Sequence, residues 1–264
     1  MVDWNALPRE KLESMAAAGE RVVECDGALA EGATDVVAEV LRGHGEFREW
    51  DHYPPGNVYD SRSQSLFYYH AHPYHAHPAM RRGDEHGHFH TFLRAEGMPS
   101  GVEPAPLPVL QLGQTGMLIE LPEGSHDGLC HMIGIAMSPA GIPIRLFTTN
   151  RWVTGETWYA ADDVITLLDC FLMDSDTPAP PVNVWTTNMV RLFRPQIEEL
   201  VRERDRVVSD WQDEHPHANA NEDPELEITS ALAISVEDQI TRVTKALKAG
   251  PPFTPPPRPV PERR

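Results

Sequence analysis

Hydrophobic and polar positions change their period several times along this chain, and each change marks a predicted element. Residues 8–42 are rich in Ala, Leu and Glu. They predict helix in two pieces, "PREKLESMAAAGERVVECDGALAEG" and "ATDVVAEVLRGHG", the second stopping at Gly43 and Gly45. "HYPPGN", residues 52–57, predicts a loop from its Pro and Gly content. From about residue 62 the character shifts to strand. "SQSLFYYHAH" and "HGHFHTFLRA" are aromatic, with His in alternating positions. Pro and Gly between Gly97 and Pro108 predict another loop, and "TGMLIELPE" after it is a further candidate strand.

"HMIGIAMSPAGIPIRLFTTN", residues 131–150, reads as a hairpin, because two apolar runs flank the turn-forming "SPAG". A helix is expected to begin near Ala161, with Asp162 and Asp163 in its first turn, where acids complement the helix dipole. Beyond Pro178, Pro180 and Pro181, a long amphipathic helix is predicted over 186–213. Its stripe is Met189, Leu192, Phe193, Ile197, Leu200 and Val201, and Pro195 is placed to kink or split it. A last helix covers about 234–248.

The pattern describes one α+β domain over residues 1–250. A helical part (1–45) precedes a central antiparallel sheet (62–152) that bears a histidine cluster, and a second helical part (160–250) follows. The helices should pack on the sheet face opposite the cluster or on its rim. Residues 251–264 form a proline-rich tail, expected to be disordered.

Seven of the thirteen histidines fall between residues 70 and 90, namely His70, His72, His75, His77, His86, His88 and His90. On a strand, residues i and i+2 point to the same face about 6.6 Å apart, so paired imidazoles can converge on one ion at about 2.0–2.1 Å from each nitrogen. Lining a sheet face with imidazoles for structure alone would leave polar nitrogens unpaired, at about 1–3 kcal/mol each. The interleaved Phe67, Tyr68, Tyr69, Phe89 and Phe92 argue for burial rather than a solvated tract. We expect His70 and His72 at the end of one strand and His86, His88 and His90 on its neighbour. Pro73 breaks the first strand, placing His75 and His77 on the connecting loop. His88 should be central and His77 peripheral. His126 and His131 are further candidate ligands just before the hairpin.

Imidazole-rich sites suit Zn, Cu, Fe and Ni. Three His around an open position would serve zinc hydrolysis, whereas five or more suggest two metals, or Fe or Cu handling oxygen. The expectation is therefore a His-ligated transition-metal enzyme acting on a small molecule. Fe or Cu oxidoreductase chemistry is ranked above a Zn hydrolase or lyase, a dinuclear site is an option, and a non-catalytic metal carrier is the competitor. Glu85 is a candidate carboxylate ligand, partner of a ligating His or general base, and Tyr69 a candidate redox phenol. Arg151, in "RLFTTNRWVTGETW", is a candidate clamp for a substrate carboxylate or phosphate.

"HGHFHTF", residues 86–92, resembles the histidine-triad nucleotide-hydrolase motif, departing from it at Gly87 and Thr91, where apolar residues are expected. The resemblance implies a nucleotide hydrolase or transferase with His88 as the nucleophile.

A formal charge of −18, from 40 acids against 22 bases, disfavours nucleic acid and anionic membranes as partners and enriches cations at the surface. Three scattered cysteines, Cys25, Cys130 and Cys170, fit reduced thiols. No apolar run approaches the roughly 20 residues of a membrane span, and the N-terminal stretch lacks a signal-peptide core, so the expected location is cytoplasmic.

Overall fold

The computed structural model describes residues 2–72, 85–106 and 128–249. Its centre is a six-stranded antiparallel sheet whose strands lie in chain order, a simple meander. These are β1 (Tyr53–Tyr59), β2 (Ser65–His70), β3 (Gly87–Leu93), β4 (Cys130–Met137), β5 (Pro143–Thr149) and β6 (Ile228–Ala233). Helices α1 (Arg9–Glu31) and α2 (Val36–Leu41) precede the sheet. The short α3 (Arg151–Thr154), then α4 (Ala161–Leu167), α5 (Pro180–Leu192) and α6 (Arg194–Glu214), intervene before β6, and α7 (Val236–Ala249) closes the described chain. The α+β class and its flanking helices are as the hydrophobic pattern predicts.

Alternation in β2 and β3 does not separate a wet face from a dry one, since every residue of both strands is buried. It separates two chemically different faces. Phe67, Tyr69, Phe89, Leu93, Ile133, Ile135 and Leu146 join one large apolar core with Val22 of α1, Val37 of α2, and Trp185 and Met189 of α5. The helices therefore cover that face. The other face carries Tyr68, His70, His88, His90 and Phe92, which are cross-strand neighbours through the pairs His70↔His88, Tyr68↔His90 and Leu66↔Phe92.

Three elements differ from the sequence expectation. The stretch read as a loop at 52–57 is the edge strand β1, despite Pro54 and Pro55. Its pairing with β2 is irregular between Tyr53 and Val58, and an edge strand tolerates prolines where no ladder N–H is required. β6 went unpredicted because "ITSALA" is short and weakly apolar; it pairs with β5 at the other edge. The long helix predicted from 186 begins earlier, at Pro180, and is divided at Phe193, with Pro195 in the first turn of α6. That proline lacks an N–H where none is needed. The candidate strand at 115–123 lies outside the described residues. No helix among the described residues is long and apolar enough to cross a membrane.

Candidate metal centre

β2 and β3 position the site. His70 and His88 are directly opposite in the ladder, and His90 follows two residues on, so three imidazoles share one patch of one face. One ring nitrogen from each lies within 4.8 Å of the other two, a group that could hold a metal ion. Donors at about 2.1 Å in a tetrahedral shell stand about 3.4 Å apart, so a small inward movement of the rings would bring all three nitrogens within bonding distance of one ion. All three rings are buried, His90 completely. The Nε2 atoms of His70, His88 and His90 are buried without a hydrogen-bond partner, although buried polar atoms are nearly always paired.

The opposite ring nitrogens of two of these residues are engaged. His88 Nδ1 donates to Glu85 Oε1 at 2.8 Å, and the other carboxylate oxygen of Glu85 is paired with the buried guanidinium of Arg145. Such a carboxylate–imidazole pair fixes the tautomer that leaves Nε2 available to a metal. His90 Nδ1 meets His131 Nε2 at 2.9 Å, and His131 Nδ1 lies 3.4 Å from Thr149 Oγ1. Burial pushes His70 and His90 well below the usual histidine range, and neighbouring imidazoles push the same way. Burial likewise brings His131 down to about 3. Their neutral forms, the ones that ligate, are favoured.

Small residues make room for these rings. His90 faces Gly134 and His88 faces Ala136 across the β3–β4 ladder. Phe147 of β5 lies over Gly134, so closely that a Cβ there would collide with its ring, and stands edge-on to both His88 and His90. Tyr68 and Phe92 complete an aromatic wall around His90.

The other candidates are distributed as follows. His72 is buried beside the trio, its ring 4.7 Å from that of His70 and 5.2 Å from that of His88, with Trp50 edge-on to it. His131 stands behind His90 rather than within the trio. His86 does not share the face of His88 and His90. β3 begins only at Gly87, so strand alternation does not extend to residue 86, and the His86 ring stacks on Phe47 and bonds the Tyr69 hydroxyl at 2.6 Å. Tyr69 is accordingly part of the helix-side core and not of the imidazole face. Arg151 opens α3 and pairs with Glu222. His75, His77 and His126 lie outside the described residues. Cys130 packs in the helix-side core, where burial raises its thiol well above the ordinary range.

Arg145 and Thr149 were not placed in the site from sequence. Only the strand register reveals Arg145: it faces Ala136, which faces His88, which faces His70, so the four form one row across the sheet.

No curated protein and no solved structure matches the chain. A family model described as a domain of unknown function, DUF6969, matches residues 16–234, which include all of the described site, and the chain belongs to that family.

Proposed function

We propose that the protein is a metalloenzyme holding one divalent transition-metal ion through Nε2 of His70, His88 and His90, with a further coordination position for a small-molecule substrate or water. The observation that carries this reading is a trio of buried imidazoles with one ring nitrogen each within 4.8 Å of the others and with Nε2 unpartnered in all three, two of the rings being oriented by hydrogen bonds at Nδ1. A carrier that exchanges its cargo needs labile ligands, often on flexible ends, whereas these rings lie on two paired strands in the middle of the sheet, which favours catalysis. The acidic surface supports cation uptake and disfavours nucleic acid.

Three neutral imidazoles leave the ion its full charge, because the Glu85 carboxylate is engaged by His88 and Arg145. Such a set suits zinc, which lowers the pKa of bound water to about 7. This shifts the preferred reading from the oxidoreductase expected from seven clustered imidazoles toward hydrolytic or lyase chemistry. Iron or copper chemistry is the second reading, favoured by His72, a fourth imidazole beside the trio. A cytoplasmic location belongs to the same proposal.

The test is elemental analysis of untagged protein purified without added metal, alongside His88→Ala and His77→Ala. Near-stoichiometric zinc supports hydroxide chemistry, and iron or copper supports oxygen chemistry. His88→Ala should abolish retention, and His77→Ala should change it little. Metal-free wild type that also fails to take up zinc, cobalt, iron or copper would overturn the proposal.

A further inference from the structure

We propose that His131 is a positioning residue that holds His90 in the tautomer able to ligate, an inference that rests on the metal reading above. Its place on the imidazole face is a product of local backbone geometry. Along β4, Gly134 and Ala136 face the site, so strict alternation would put residue 132 on that face and residue 131 in the helix-side core. The β3–β4 register instead shifts between Thr91 and Phe92, pairing Thr91 with Ile133 and Phe92 with His131. Met132 is the extra residue of this bulge and joins the helix-side core. The bulge turns His131 onto the site face, a use to which bulges beside active sites are commonly put. The His131 backbone N–H donates to buried Glu156 Oε2 at 2.6 Å, which anchors the shifted segment.

The hydrogen-bond order then follows from ligation. Two neutral imidazoles 2.9 Å apart share one hydrogen, so one ring donates and the other accepts. If Nε2 of His90 is to offer a lone pair toward His70 and His88, its hydrogen must sit on Nδ1 and be donated to His131 Nε2. His131 then carries its own hydrogen on Nδ1, within reach of Thr149 Oγ1. The reverse order places a hydrogen on His90 Nε2, where it blocks coordination. Without an acceptor at position 131, the ligating tautomer would bury an unpaired Nδ1–H.

Nitrogen-15 spectra of zinc-loaded wild type should place hydrogen on Nδ1 of both His90 and His131. Zinc competition against a chelator should show His131→Phe binding about 10–100-fold more weakly, the range typical for loss of such a partner. His131→Gln, whose Oε1 can accept from His90 Nδ1, should recover affinity to within a few-fold of wild type. Three outcomes would each overturn the inference while leaving the metal reading intact: hydrogen on His131 Nε2, a His131→Phe variant as tight as wild type, or a folded His131→Gln variant as weak as His131→Phe. Wild type that binds no zinc would remove the metal reading and this inference with it.

Discussion

At the scale of single residues, the informative contrast is between Glu85 and the imidazoles it serves. Its carboxylate holds His88 on one oxygen and Arg145 on the other, with all three side chains buried. Removing one member of a buried pair leaves an uncompensated charge, at about 3–5 kcal/mol. Glu85→Ala should therefore lower unfolding free energy by that order in denaturant titration and weaken metal binding through loss of His88 orientation. Glu85→Gln retains an oxygen that can accept from His88, so it should lose less affinity than Glu85→Ala while still destabilising Arg145. Equal metal affinity in all three proteins would show that Glu85 does not orient His88. The choice of Glu85 as a partner for a ligating histidine was legible in the sequence from proximity alone. Arg145 was not, because its role depends on a partner 60 positions away and on a register that no local pattern reports.

At the scale of elements, the alternating histidines identified β2 and β3, and with them His70, His88 and His90, because period two is a local property of a strand. The pattern failed at boundaries and edges. His86 has the same parity as His88 but precedes the strand. β1 hides behind two prolines, β6 behind small residues, and the bulge at Met132 reverses the parity that would otherwise keep His131 out of the site. Close packing between β4 and β5 gives a direct test of how the elements hold the rings. A Cβ at Gly134 would run into Phe147, whose edge supports His88 and His90. Overpacking of this kind costs about 1–3 kcal/mol. Gly134→Ala should thus lower the melting temperature and reduce metal affinity together, and Phe147→Leu should partly restore both by opening space. A Gly134→Ala protein with unchanged melting temperature and metal affinity would show that this contact does not shape the site.

At the scale of the whole molecule, gathering buried imidazoles on one sheet face makes the metal-free fold sensitive to acid. His70, His90 and His131 are held below the ordinary histidine range by burial, whereas the unfolded chain protonates them near pH 6.5. Below that pH the unfolded state binds protons that the fold excludes, so stability is fully present above about pH 6.5 and declines as pH falls. Buried Glu156, whose carboxyl is raised by burial to about 7, is relieved of its charge over the same range and offsets part of this loss. The change in overall charge also acts against the loss, since acidification reduces the self-repulsion of a chain at −18. A fall in stability therefore points to the imidazoles rather than to net charge. Bound metal occupies their lone pairs and stabilises the fold by mass action, so the decline should move to lower pH when metal is present in excess. Denaturant titrations of metal-free and metal-loaded protein between pH 7.5 and pH 5 (a span chosen to bracket the unfolded histidine value) measure this directly. The metal-free protein should lose stability below pH 6.5 and the loaded protein less. Superimposable curves, flat across that range, would mean that the buried imidazoles neither resist protonation nor bind the ion.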